Sequence, residues 1–473
     1  MEAFVGTLVN PGESGISIVP ESLVLVENGK ASSFSSRSTC RLGAPNETRL
    51  VAPGCRNPKY FPNARRRVIL AVVEVGRSSE LDDLRGRYEI DEVSVLPEAW
   101  FLTPGLVDVH THASQYPNIG IGLDLPLLEW LDRYTFPLEA KYLDLDFAST
   151  AYNTCVKRTL GNGTTTACYF GTIHTESSKE LFRACQRAGQ RAFVGKVSMD
   201  RNSPEYYVED TQSGIREARD FLRWTEDQKD PLVKGIVTPR FAVTSTEASL
   251  EALGEMARTF HAPVQTHISE NKSEVEVVRR MYPDASSYAD VYKRAGLFDS
   301  KCILAHGIYL DDDEIELVKE RKAGIAHCPR SNSQLTSGMC DVRRLLRKGV
   351  PVGLGTDMSG GSASSILDAM RQAWEISKLL SLQAGESEAL TLDDCFALAT
   401  IGGARVAGLE DQIGSIEKGK AFDALVLSPD PGVDFWDAGS PDQLVHKVLM
   451  LGDDRNIKAV FVAGRLVAGP GIP

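Results

Sequence analysis

From about residue 103 onward, short apolar runs alternate with longer stretches in which hydrophobic residues recur every three to four positions. The runs are Gly105–Val109, Thr164–Phe170, Ala192–Val197, Gly235–Pro239, Val264–His267, Cys302–Ala305, Gly324–His327 and Val352–Leu354. They are almost continuously apolar, as strands of a parallel sheet are when both faces are covered. Helical spacing marks Leu143–Leu160, Ser177–Ala188, Ser213–Gln228, Ser245–Phe260, Ser273–Tyr282, Asp312–Lys322 and Val342–Lys348. Eight βα units over roughly 250 residues or more predict an α/β protein built on a closed (β/α)8 TIM-type barrel rather than an open sheet. Thr391–Ala404 is a further predicted helix, with Thr391 and Asp394 at capping-box spacing.

Both ends of the chain read differently. Phe4–Val9, Ile16–Val19 and Ser22–Val26 are β-rich and are punctuated by Pro11-Gly12 and Asn28-Gly29. Val68–Val75, Glu92–Leu96, Ala424–Leu427 and Val460–Val467 continue that character, with turn glycines at Gly419 and Gly464. Each group is too small to bury a core alone. They are expected to pair into one composite β-rich, sandwich-like domain of residues 1–102 plus 411–473, leaving 103–410 as the barrel. Residues 30–67 are rich in Ser, Arg, Pro and Asn and read as a loop-like insertion. Its basic triplet, Arg65–Arg67, reads as a solvated loop in an acidic protein.

Composition narrows the function. The 473 residues are 42% hydrophobic and 25% charged, as in an ordinary globular protein. The net charge of −12 argues against nucleic-acid binding, which calls for a basic face. Nine cysteines, an odd number with no C-x-x-C pair, predict neither a disulfide framework nor a zinc knuckle and suit a reducing, cytoplasmic setting. The opening Met-Glu-Ala-Phe lacks the basic and apolar regions of a signal peptide. Val68–Val73 is far shorter than the ~20 apolar residues a membrane helix needs. Asn46-Glu47-Thr48 fits a glycosylation acceptor and reads as chance in a cytosolic chain.

The chemistry sits at the strand ends, where barrel enzymes carry their catalytic groups. Strand one ends in His110-Thr-His112; alternate residues on a strand point the same way, so both imidazoles can face one metal. Strand five ends in His267-Ile-Ser-Glu270, strand six in His306, strand seven in His327 and strand eight in Gly355-Thr-Asp357. His110, His112, His267 and Asp357 make a ligand set for one divalent ion, zinc or Fe(II), with a water in the open position. Such a water has its pKa lowered from about 15.7 toward ~7. Glu270 is spare for proton transfer, and Asp357 can accept the water's proton. His306 is assigned to orient that water, with direct ligation as the alternative.

The order His-x-His, His, His, Asp on eight βα units resembles the amidohydrolase superfamily. The resemblance extends to the guanine deaminase family over nearly the whole chain. It rests on Pro104–Tyr116 with its Ala-Ser-Gln after the second histidine, Leu128–Leu131, Gly163–Phe170, Gly189–Lys196, Thr238-Pro-Arg-Phe241, His267–Asn271, Ile325–Pro329, Gly353–Asp357 and Leu451–Asn456. Many superfamily members bridge two metals with a modified lysine at the end of strand four. Here Thr238–Phe241 stands there and Lys234 precedes the strand, so one metal per chain is expected. The resemblance implies hydrolysis of guanine to xanthine and ammonia by a metal-bound hydroxide, in a homodimer. It implies Gln115, Arg240 and Phe241 as readers of the purine, with His112, His267, Glu270 and Asp357 also lining the substrate. The 30–67 insertion departs from compact members.

Four features invite other readings. His174-Thr-Glu176 matches half of the cytidine-deaminase zinc signature, but the other half, P-C-x-x-C, is missing; His174 is expected to line the pocket or pack behind it. His327 is pocket wall or buried core. Ser359-Gly360-Gly361, with an anion cradle at a helix start as the alternative, reads as a turn, and Trp130 and Tyr134, with a lid as the alternative, read as core. The rival functions are a deaminase or chlorohydrolase acting on another ring (an adenosine derivative, cytosine or an s-triazine) and a non-catalytic scaffold, which would normally have lost its ligands.

Overall fold

The computed structural model describes residues 2–12, 15–28, 70–88, 90, 92–384, 388–433 and 440–472. The expected 30–67 insertion, with Arg65–Arg67 and Asn46–Thr48, lies outside the described residues. The barrel strands are β1 (Leu106–His112), β2 (Thr164–Phe170), β3 (Arg191–Gly195), β4 (Val233–Gly235), β5 (Val264–Ile268), β6 (Cys302–His306), β7 (Gly324–His327) and β8 (Val352–Leu354). All ladders between them are parallel, in the orders β4-β3-β2-β1 and β5-β6-β7-β8. The two halves join at both seams. A parallel bridge ties Val237 to Val264, and the Asp357 N–H donates to the His110 carbonyl at 3.0 Å. Side chains of β1, β2, β5, β6 and β7 are buried throughout, which explains their unbroken apolar runs.

The helices start where local chemistry dictates. Asp144 accepts from the Asp146 and Phe147 N–H groups and opens Leu145–Gly161. Thr391 and Asp394 form the reciprocal capping box that their spacing predicts. The helix that follows is not continuous. Leu392–Ala397 widens into a π turn over Leu398–Gly402 and resumes at Gly403–Ala407. Here the helix presses on the barrel floor: a Cβ on Gly403 would lie 2.7 Å from the Val107 side chain. Among the helices that had not been expected, two are the longest. Ile366–Ala384 follows β8, and Pro441–Leu451 interrupts the strands of the tail. They are tied together where Arg371 donates to the Leu449 carbonyl at 2.8 and 2.9 Å.

Strands from both chain ends share one sheet. Its order is 465–468, 457–462, 424–427, 101–104, 2–12, 15–28 and 70–77, with 92–95 also paired to 2–12. Phe4 and Phe461 lie three strands apart, roughly 14 Å on a flat sheet. Their ring centroids are 5.4 Å apart, and Phe422 stacks on Phe4 at 4.9 Å. The sheet therefore curls over its own core. A bulge between Gly6 and Leu8 marks where the first strand changes partners. Buried Arg191, opening β3, clamps Asp423 of this sheet through two hydrogen bonds of 2.8 and 3.1 Å. No helix among the described residues is long and apolar enough to cross a membrane. The seven described cysteines are all free and buried.

Candidate active site

The strand ends converge as their spacing predicts. Ligand atoms of His110, His112, His267 and Asp357 all lie within 4.8 Å of one another and are buried. His112 Nε2 is 3.2 Å from His267 Nε2. Asp357 Oδ1 is 3.2 Å from His110 Nε2 and 3.4 Å from His112 Nε2. The close approach of β8 to β1 requires glycine at 355, where a Cβ would sit 2.9 Å from the His110 carbonyl oxygen. His306 and Asp357 both adopt left-handed backbone conformations, with φ of 74° and 45°. Such strain persists at sites that surrounding structure over-determines.

Electrostatics prepare this group for a cation. Burial pushes His110 down and His112 and His267 well down, which favours the imidazole form with its lone pair. Burial alone would raise the Asp357 carboxyl, but His110, His306 and His112 together hold it well below the usual range. His267 Nδ1 donates to the Arg240 carbonyl at 2.7 Å, which leaves its Nε2 bare toward the cluster. His110 Nε2 has no hydrogen-bond partner although it is buried. Three imidazole nitrogens and one carboxylate oxygen, crowded together, are the donor set of a zinc-type site.

Glu270 and His306 flank the cluster. His306 Nε2 is 3.5 Å from Glu270 Oε2 and 3.8 Å from Asp357 Oδ2. His306 Nδ1 is held by Asn332 Oδ1 at 2.8 Å, and Ser337 donates to Glu270 at 3.4 Å. Burial, followed by the Asp357 charge, pushes the Glu270 carboxyl well above its ordinary range. Phe170 walls the group, with its ring 4.9, 4.7 and 5.0 Å from those of His110, His112 and His267. Phe241 lies 6.1 Å from the His267 ring.

Gln115 and Arg240 meet on a residue that the strand-end pattern does not reveal. Glu139, wholly buried in the short helix Phe136–Ala140, accepts from Gln115 Nε2 at 2.9 Å and from Arg240 Nη1 at 2.6 Å. Asp108 was likewise missed. It braces β1 against the end of β8 by accepting from the Thr356 hydroxyl at 2.6 Å, and burial lifts its pKa to about 7. Neither has a sequence signal beyond being a carboxylate near a motif.

The remaining candidates resolve simply. His174 packs against Tyr207 at 5.7 Å between ring centroids, and Glu176 is spent on Lys179 at 2.6 Å, so this pair forms no metal motif. His327 is buried, which pushes its pKa to about 3. Trp130 is core, donating to the Ile121 carbonyl at 3.0 Å. Ser359–Gly361 is a turn closed by the Gly361 N–H on the Asp357 carbonyl at 2.7 Å. Lys234 is exposed, away from the cluster.

A closed barrel with a His-x-His, His, Asp group at its strand ends defines a class, and the amidohydrolase family pattern matches residues 101–467. The chain belongs to the amidohydrolase family, whose members depend on metal. Within it, the chain is similar to guanine deaminases. The Mus musculus guanine deaminase is 46% identical over 385 residues, covering 80% of this chain and 85% of that one. The Escherichia coli K12 enzyme is 36% identical over 372 residues, 77% and 82% of the two chains. Among solved structures, the guanine deaminase from C. acetobutylicum, with guanine bound in its active site, superposes with a TM-score of 0.84 at 31% identity, covering 99% of this chain and all of that one.

Proposed function

We propose that this chain hydrolyses guanine to xanthine and ammonia, with water adding at the amino-bearing ring carbon. The observation that carries the reading is the meeting of the His110, His112, His267 and Asp357 group with Glu270 and His306 in one buried barrel mouth. The similarity to guanine deaminases supports the choice of substrate. A single zinc ion per chain suits the four donors, with Fe(II) the alternative. Bound there, the ion supplies Lewis acidity that brings a water's pKa toward ~7. Glu270, whose protonated form burial favours, delivers its proton to the ring nitrogen as the carbon becomes tetrahedral; as the carbonyl forms, Glu270 regains the proton of the new hydroxyl while the proton held by Asp357 goes to the departing amine. Asp357 takes the water's proton and His306 orients the water.

Recognition follows from donor and acceptor complementarity. Arg240 has only donors, so it suits the guanine carbonyl and opposes the amino group that adenine presents there. Gln115 donates and accepts at the same edge, Phe241 covers a ring face, and His112 and His267 close the pocket. We place the reaction in purine breakdown, in the cytoplasm, on a homodimer; the free buried cysteines favour a reducing compartment, and closed dimers are the commonest assembly of soluble enzymes.

The deciding assay is ammonia release from guanine, adenine, an adenosine derivative, cytosine and an s-triazine, before and after chelation. Guanine is expected to be turned over and adenine rejected by ~10⁴-fold or more. Equal turnover of any other ring, or no ammonia from guanine, overturns the proposal.

A further inference from the structure

We propose that Glu139 is the positioning residue through which the site selects guanine, because it ties Arg240 and Gln115 to one buried carboxylate. This rests on the guanine reading above. Four donors from three separate parts of the chain converge on Glu139. Arg240 Nη1 and the Tyr207 hydroxyl reach Oε2 at 2.6 and 2.8 Å, and Gln115 Nε2 and the Ser114 hydroxyl reach Oε1 at 2.9 and 3.4 Å. Side chains of Glu139 and Arg240 are 0% and 3% exposed.

The consequence for Gln115 is a fixed orientation. The Glu139 carboxyl accepts from Arg240 and Tyr207 through one oxygen, and the Gln115 amide turns its NH2 toward the other. Its Oε1 then meets the Ser359 N–H at 3.2 Å. Both ends of the amide are pinned, and one N–H and one lone pair remain for a base edge. Without Glu139 the amide is held at one end only, by the Ser359 N–H, and its NH2 loses its fixed acceptor.

Arg240 is held in the same way. Among the described residues Glu139 is its side chain's one hydrogen-bond partner, and the guanidinium lies over the Phe136 ring at 5.2 Å from the centroid. Phe136 and Glu139 share one helical turn, so a single element sets both the plane and the position of the guanidinium. Its other N–H groups stay available for an acceptor. The carboxylate also cancels the Arg240 charge, which keeps the recognition end of the pocket neutral for a neutral base. Selection against adenine therefore depends on a residue that reads the base only through its two partners.

The test compares Glu139→Gln with the full-length wild type, each checked for metal content and thermal midpoint. Wild type must first release ammonia from guanine; if it does not, the functional reading fails before this inference is reached. With an active wild type, Glu139→Gln is expected to keep its metal and lose about 10²-fold or more in kcat/KM for guanine, mostly in KM. The preference for guanine, read as guanine KM against adenine Ki, should narrow at least ~10-fold. In a background carrying Arg240→Ala and Gln115→Ala, adding Glu139→Gln should change kcat/KM by less than about threefold, because the partners it acts through are gone. A single variant within about threefold of wild type in both rate and preference overturns the inference, as does a large further loss in the double-variant background. If Glu139→Gln does not fold, Glu139→Asp keeps the charge and withdraws it by one methylene. A folded Glu139→Asp with guanine KM raised at least ~10-fold supports the inference, and a wild-type KM refutes it.

Discussion

Glu270→Gln separates proton transfer from everything else the site does. Glu270 is buried, and its carboxyl is pushed well above the usual range by burial, then by the Asp357 charge. That favours its protonated form over the carboxylate. Glutamine matches the neutral acid in shape and can meet the Ser337 hydroxyl that lies 3.4 Å from Glu270 Oε1. Replacing the protonated acid changes no charge, and the four predicted ligands are untouched. Stability and metal content should match wild type, with thermal midpoints within a degree or two. What disappears is a transferable proton beside His306 Nε2, now 3.5 Å from Glu270 Oε2. General acid–base catalysis supplies ~10²–10⁴-fold, so kcat should fall by at least ~10²-fold, a barrier increase of about 3 kcal/mol. The assay is guanine-dependent ammonia release on protein of measured metal content. A metal-loaded variant within tenfold of wild type refutes the role. A variant that loses its metal or unfolds refutes the premise that Glu270 is held neutral and apart from the ligands.

Elemental analysis should find one metal ion per chain, and chelation should abolish activity until zinc is restored; two ions, or a fully active metal-free protein, contradicts this. Asp423→Asn breaks the bidentate clamp with Arg191, both side chains at most 4% exposed, and leaves a buried cation unpaired. That should destabilise by ~3–5 kcal/mol, read as a fall of several degrees in the unfolding midpoint with kcat and KM for guanine unchanged; an unchanged midpoint contradicts it. Light scattering should report about twice the 51.6 kDa chain mass, and a monomer mass across working concentrations sinks the homodimer.

Much of the site was legible from residue order because it obeys local periodicities. His110 and His112 share a face by the two-residue repeat of a strand, and the apolar runs before His267, His306 and Asp357 place all three at the same end of parallel strands. The Thr391–Asp394 box was legible for the same reason, since it closes within one turn. The helix Ile366–Ala384 carried a readable signal too, with Ile366, Met370, Ala373 and Ser377 at helical spacing along its buried side.

Tertiary structure alone decided the rest. Glu139 sits in Phe-Pro-Leu-Glu-Ala, where a carboxylate ordinarily reads as a solvated face. It is buried because Gln115, Tyr207 and Arg240, 24, 68 and 101 residues away, bring donors to it. Asn332 finds His306 across 26 residues, and Asp108 finds Thr356 across 248. The first strand of the chain curls until Phe4 meets Phe461. No local period encodes such partners. Short-range patterning determined which elements form and which way their side chains point. The satisfaction of buried polar groups, settled only when distant segments pack, determined which of those side chains work together.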